Sequence, residues 1–537
     1  MSGVVVVGAG PSGLHFALTL LRRGVRVTLL DVGFTAPPPA LPQRGMVELK
    51  EELPDPAGYF LGDRLEGVVL PDDDSEFYGF PPGKQYIFAQ PPGVEVRSQG
   101  FDPLFSYALG GLAETWTAGC YPLNEAELSD FPVAPHDMFA AYDEVAGRIG
   151  VSGEADDLAR FFPVHEHLQP PLPLDEHSTR LMAAYGRRRG RLQARLRCYM
   201  GRTRVATLSR PLGERPACGR LGRCLWGCPT HALYTPSTTL AECRRYEGFE
   251  YRPGIRVDAL ELDGRRAVAV VGVEVETGRP WRLPAERVAL AAGTLSSARI
   301  FLRSLFQRDG SAPELTGLMD NRQVLVPFVN LGMLGRRYDP QTYQYHLLGM
   351  GLTSEDPRHY VHCQITTLKT ALLHPVAQQL PFALAHSLRV TNVLHAALGV
   401  VNVNFHDTRR AENRARLGAP DASGLPALEL QYAPPADEPD RMRDALGRVR
   451  RALRALGCVA PARMMHVRPM GASVHYAGLL PMRREVQPLT SSADGRSHDV
   501  DNLYLVDGIT FPFLPAKNGT FTLMANAVRI AERVTEG

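Results

Sequence analysis

The sequence predicts an α/β fold of two interleaved domains, one of them a Rossmann-like domain for a dinucleotide. Three observations predict it. A β-branched strand at Val4–Val7 runs straight into the glycine turn Gly8-Ala9-Gly10-Pro11-Ser12-Gly13. A second strand ending in an acid and a glycine, Asp507-Gly508, lies near the other end and is followed by a helix pattern through Arg529. The chain of 537 residues is too long for one small domain and long enough for two sharing a core.

Taken in order, Val4–Val7 reads as a strand buried on both faces. Leu14–Arg23 then carries helical apolar spacing, Gly24 ends it, and Val25–Leu30 is a second strand closing on Asp31. Strand, glycine turn, helix, strand and acid together are the context in which a dinucleotide fingerprint is meaningful. Gly8 permits the tight turn, Gly10 lets backbone approach a pyrophosphate, and Gly13 lets helix and strand pack closely. Pro11 and Ser12 open the helix whose N-terminus faces the phosphates, and Asp31 can accept from the adenosine ribose. This motif alone leaves NAD and FAD both open.

Further along, Gly110-Gly111 precedes Trp116, as expected where backbone passes close to a flat group or makes a tight turn. Arg287–Ala292 reads as a strand, Gly293 as a turn, and Ala298–Leu305 as a helix. The Tyr- and Pro-rich stretches within 52–103 read as loops over the adenine or the site entrance. The Arg-rich run from Arg187 to Arg197 reads as a solvated helix face. No motif is legible between about 311 and 464.

Composition narrows the class. A formal charge of +2 provides no field for nucleic acid or anionic lipid. Lysine occurs only at Lys50, Lys84, Lys369 and Lys517, an arginine bias expected of a GC-rich bacterial genome. No signal peptide is visible, and the best candidate for a membrane span, Pro381–Val403, is interrupted by His386, Arg389 and His395. A cytoplasmic protein without a membrane span is expected. Eight cysteines are too sparse for a disulfide scaffold.

The C-terminal landmarks make a family visible. His475-Tyr476-Ala477-Gly478, the strand Asp501–Val506 ending at Asp507-Gly508, and Pro515-Ala516-Lys517-Asn518-Gly519-Thr520 opening the last helix resemble the glucose–methanol–choline oxidoreductases. The turn at Ala292-Gly293 resembles that family's second signature. The resemblance implies an FAD-binding domain made of 1–150, 205–310 and 465–537, with an α+β substrate-binding domain of 151–204 and 311–464 inserted into it. It also implies FAD as cofactor and a small alcohol as substrate, favouring a sugar, glycoside or polyol, with oxygen or a redox partner as electron acceptor. It assigns Gly8, Gly10, Pro11, Ser12, Gly13, Asp31, Gly110, Gly111, Ala292, Gly293, Asp507, Gly508, Gly519 and Thr520 to the cofactor, and His475 and Asn518 to catalysis. Two positions depart from the pattern. Gly519 stands where the family has proline, and Thr115 stands where the similar pyranose oxidases carry the histidine tethered to flavin, so a non-covalent FAD is expected.

That chemistry suits the residues. Oxidising an alcohol removes a hydroxyl proton and a hydride from one carbon; a neutral histidine serves as base near neutral pH, and an asparagine amide orients the oxygen without titrating. Asn518 also reads as a helix cap, whereas His466 lies outside the pattern, and His165, His167 and His177 show no metal spacing. A lyase of the same fold and a non-catalytic flavin carrier are the alternatives. Finally, Cys218, Cys224 and Cys228 resemble the cysteine loop of membrane-linked bacterial sugar dehydrogenases. They are candidate ligands of an iron–sulfur cluster or members of a metal-free loop.

Overall fold

The computed structural model describes residues 3–36, 44–63, 65, 76, 80–368, 377, 380–420 and 424–536. Part of the stretch 52–103 therefore lies outside the described residues; within it short helices occupy Pro56–Leu61 and Pro82–Phe88, and a strand Val96–Gln99.

The first strand, Val4–Val7, sits in the middle of a five-stranded parallel sheet ordered Leu503–Leu505, Val288–Leu290, Val4–Val7, Val27–Leu30, Phe249–Arg252. Its valines alternate between two cores, as a strand covered on both faces requires. Val4 and Val6 pack with the helix Pro11–Arg22 and with Ala527, Ile530 and Ala531 of the last helix, Thr520–Glu536. Val5 and Val7 pack with Leu295, Ala298 and Leu302 of the helix Thr294–Asp309. An antiparallel meander, Ile255–Asp263, Arg266–Glu274 and Pro280–Pro284, lies beside this layer.

The second domain is organised around an antiparallel sheet ordered Cys458–Val459, Gln323–Asn330, Leu398–Asn404, Val361–Thr367, Leu348–Leu352, Cys198–Arg202, with His466–Val467 on the free stretch of Gln323–Asn330. Period-two alternation divides its faces. Val324, Val326, Val401, Val403 and Ile365 bury against Leu181, Leu446, Val449 and Leu453 of the helices Glu176–Leu196 and Glu438–Ala455. Gln323, Leu325, Asn402 and Gln364 point the other way, toward the parallel-sheet domain. The segment without a legible motif thus supplies most of this sheet.

Other expectations meet the structure plainly. The run Arg187–Arg191 is exposed on the helix Glu176–Leu196. Pro381–Val403 contains the helix Leu384–Leu394 and the start of a strand, and no helix among the described residues is long and apolar enough to cross a membrane. His165 and His177 are buried, whereas His167 is exposed. None of the eight cysteines is in a disulfide.

Candidate active site

A cavity of about 540 Å³ runs between the two sheets, from the end of the first strand to Gln323, Gln364 and Asn402. At its near end the glycine turn has the expected steric logic. A Cβ on Gly8 would lie 2.5 Å from the Ala291 carbonyl oxygen, and one on Gly13 would lie 2.0 Å from that of Gly8. These two positions admit only glycine. A Cβ on Gly10, by contrast, would meet no protein atom, and Gly10 lines the cavity with Pro11 and Ser12. Pro11 is the first residue of its helix, so unpaired N–H groups face the same space. Asp31 lines it too. Burial pushes its carboxyl up to about 7 against the opposing Ala9 and Val32 N–H groups. Its Oδ2 makes no well-formed hydrogen bond, although the Tyr251 hydroxyl approaches it. A buried acceptor of this kind fits a ribose diol.

The walls come from the remaining predicted turns. Gly110 and Gly111 both take positive φ, and Gly110 N donates to the Ala9 carbonyl at 3.1 Å, which places this pair against the first turn. Asp507 joins two further landmarks. Its Oδ2 accepts from Gly293 N at 3.0 Å and Ser297 Oγ at 2.6 Å, while Oδ1 accepts from Ile509 N. Ala292, Gly293, Gly508, Gly519 and Thr520 line the cavity beside it. Thr115 also lines it, its hydroxyl donating to the Leu112 carbonyl. Arg299, buried in the same wall and donating to the Tyr107 hydroxyl at 3.3 Å, adds a cation suited to phosphate.

At the far end His475 and Asn518 meet. His475 Nε2 lies 3.5 Å from Asn518 Nδ2, and His475 Nδ1 lies 3.1 Å from Asn321 Oδ1. Burial, assisted by the Arg468 cation, lowers His475 to about 4, so the imidazole is neutral at pH 7. The preceding residue, Val474, has φ +59°, a left-handed conformation costly for a β-branched side chain and typical of sites held under constraint. Asn518 Oδ1 accepts from Gln364 Nε2 at 2.7 Å. The Asn518 amide thus meets Gln364 and His475 at the cavity, just ahead of the last helix. His466 is half-exposed and pairs with Glu76 at 2.8 Å.

Several residues here carried no sequence signal. Asn321 and Gln364 sit in the stretch without motifs, distant in sequence from the residues they touch. Lys517 had one, as a lone lysine beside Asn518: its ammonium, with no exposure, donates to Glu127, to the Pro122 carbonyl at 2.7 Å and to the Phe161 carbonyl at 2.8 Å.

The three clustered cysteines do not converge as a ligand set. Among the described residues no three His, Cys, Asp or Glu side chains are placed to hold a metal. Cys218 Sγ accepts from Arg220 N, Cys224 begins the short turn Cys224–Trp226, and Cys228 Sγ faces the Thr230 hydroxyl at 3.5 Å. All three pack against the hydrophobic core, and Trp226 packs on Phe60. The loop's contribution to the cavity is Leu225, which forms part of its wall.

Residues 409–527 match the family model described as GMC oxidoreductase. The chain is similar to 6'''-hydroxyparomomycin C oxidase of Streptomyces lividus, with 25% identity over 99% of this chain and 91% of that protein. It is also similar to paromamine 6'-oxidase of Streptomyces fradiae, with 26% identity over the same shares. Its fold resembles the crystal structure of pyridoxine 4-oxidase from Mesorbium loti, with a TM-score of 0.60, 14% identity and full coverage of both chains.

Proposed function

We propose that this chain is a glucose–methanol–choline oxidoreductase that oxidises a CH–OH group of a sugar, amino sugar or polyol with FAD, using His475 as base; the C-terminal family match, the fold and the names of the relatives support this reading. The observation that carries this reading is the pairing of a buried neutral imidazole with an amide donor, His475 and Asn518, at the end of a cavity whose other end is a dinucleotide turn.

The residues present fit the cofactor. Gly8, Gly10, Pro11, Ser12 and Gly13 would hold its pyrophosphate with Arg299 nearby, and Asp31 its ribose. Gly111, Ala292, Gly293, Asp507, Gly508, Gly519 and Thr520 would frame the rest, with Gly110 held behind them on the Ala9 carbonyl. When bound, FAD supplies the hydride acceptor. Thr115 has no imidazole to bond covalently to flavin, which favours a non-covalent cofactor. Among the described residues the thiols of Cys218, Cys224 and Cys228 do not form a ligand set that fits an iron–sulfur cluster.

The chain's own part is proton handling and orientation. A substrate hydroxyl placed between His475 Nε2 and Asn518 Nδ2 gives its proton to the imidazole, while the amide N–H holds the oxygen as charge grows on it. Gln364, by donating to Asn518 Oδ1, keeps that amide's NH₂ turned toward the reaction. Gln323 and Asn402 offer neutral donors and acceptors to further hydroxyls. The domain limits expected from sequence, with 1–150, 205–310 and 465–537 around the cofactor, are part of this proposal; the five strands of the parallel sheet come from within those segments. The names of the two oxidases favour oxygen as the acceptor.

Anaerobic titration with sugars, amino sugars, polyols and aliphatic alcohols, followed by flavin absorbance, tests the proposal. A substrate of this class bleaches the flavin. A flavin that none of them reduces would leave a lyase or a flavin carrier in its place.

A further inference from the structure

Asn321 is almost wholly buried and makes three hydrogen bonds in three directions. Its Nδ2 donates to the Phe405 carbonyl at 2.8 Å and to the Pro515 carbonyl at 2.9 Å. Both amide hydrogens are then used. Turning the amide over would set its oxygen against two carbonyl oxygens, so the orientation is fixed by chemistry. The atom facing His475 Nδ1 is therefore an acceptor, and Nδ1 must carry the proton. Nε2 is left with its lone pair, on the side of Asn518 and the cavity.

The same side chain binds three pieces of the site together. Pro515 lies three residues before Asn518, and Phe405 directly follows the strand Leu398–Asn404 that carries Asn402. The preceding residue, Asp320, holds the backbone of the histidine loop. Its carboxylate accepts from Gly471 N at 2.6 Å and from the Ser473 hydroxyl, whose oxygen accepts from His475 N at 3.0 Å. Two consecutive residues thus hold the loop by its main chain and the ring by its Nδ1.

We propose that Asn321 is a positioning residue for the oxidation, fixing His475 as the Nδ1–H tautomer and setting its distance from Asn518. This rests on His475 being the base. Asn321 touches neither substrate nor the reacting atoms, and it acts only through His475 and the loop of Asn518.

The test uses flavin-loaded enzyme and anaerobic single-turnover reduction across pH. Asn321→Leu removes the acceptor and should slow limiting reduction about 10-fold or more at every pH, with substrate affinity changed by less than about 3-fold. Asn321→Asp keeps an acceptor toward Nδ1 but adds charge beside the ring and sets its second oxygen against the Phe405 and Pro515 carbonyls, a cost read separately as loss of thermal stability. Among the described residues the other charged or titratable groups around the ring are Arg468 and His362, with Asp320 behind Ser473, and Lys517 and His346 beyond His362. The added carboxylate favours imidazolium, so the acid limb of the reduction rate should move up by about 1 unit or more. Above that limb the aspartate variant should recover most of the rate that leucine loses. A leucine variant as fast as wild type overturns the proposal, as do two variants equally slow at all pH with no shift of the limb. Should either variant lose its flavin, ¹⁵N-histidine spectra of the wild type decide. The His475 signals, identified by their loss in His475→Gln, should show Nδ1 protonated; protonation at Nε2 overturns the proposal. A His475→Gln enzyme that reduces flavin at the wild-type rate would instead remove the base, leaving the tautomer result to stand or fall separately.

Discussion

Replacing Lys517 by methionine tests whether the buried pair beneath Asn518 is ionic. The ammonium and the Glu127 carboxylate have no exposure, and Lys517 Nζ also serves two carbonyls. Burial draws Lys517 down to about 8, with Glu127 opposing, so it still carries charge at pH 7. Methionine keeps the length and apolar stem but leaves the Pro122 carbonyl without its ammonium partner, the Phe161 carbonyl with Asn124 Nδ2 at 2.9 Å, and Glu127 with the Asn124 N–H at 2.9 Å as its one donor among the described residues. Removing one partner of such a pair costs about 3–5 kcal/mol. The companion change Glu127→Gln keeps an acceptor for Asn124 N, and the double variant should lie within about 1–2 kcal/mol of wild type, because neither charge is then stranded. Urea unfolding of the flavin-loaded protein, followed by flavin fluorescence, measures each corner of the cycle at equal cofactor concentration. A single variant costing less than about 1 kcal/mol, or a double variant showing the sum of both losses, would refute an ionic pair.

Other expectations are quicker to check. His475→Ala should slow flavin reduction by about 10²-fold or more with FAD retained, and Asn518→Ala should be milder; stopped-flow reduction separates them. Because His475 is lowered to about 4, its base form persists in acid, so reduction should stay level down to about pH 5 and fall as pH drops through about 4. A midpoint near the ordinary histidine value would contradict that environment. Gly13→Ala forces a methyl onto the Gly8 carbonyl, and the purified protein should lack flavin absorbance. Heat or acid denaturation should release intact FAD into the supernatant, since Thr115 has no imidazole; flavin retained in the precipitate would reveal a covalent bond.

What was legible in the sequence is what local chemistry demands. A phosphate turn needs glycines where Gly8 and Gly13 would otherwise strike backbone, and that need leaves a readable string between Val7 and Asp31. The turn at Gly293 and the acid at Asp507 are readable too, and the structure joins them with two hydrogen bonds. The large antiparallel sheet was opaque. Its cavity face carries Gln323, Asn402 and Gln364 where a strand pattern usually shows surface polarity, and Cys198–Arg202 enters it from far away in sequence. Asn321 illustrates the limit most sharply. An asparagine is unremarkable in a string, and its importance arises only when Phe405, Pro515 and His475 converge on it. The cysteine loop failed in the opposite sense, for spacing brought three thiols to mind that the fold does not gather.

The parallel sheet has a consequence for how the protein is made. Val4–Val7 leaves the ribosome long before its neighbour Val288–Leu290, and Leu503–Leu505 follows later still. At about 5–20 residues per second, roughly 25–100 s separate the first strand from the last. Throughout that interval the glycine turn exists without the walls contributed by Gly293, Asp507 and Thr520, and valines destined for two cores have only one side available to cover. Cofactor capture is therefore confined to the finished chain, and the nascent chain depends on chaperones, or on speed, to keep its opening strand from pairing elsewhere.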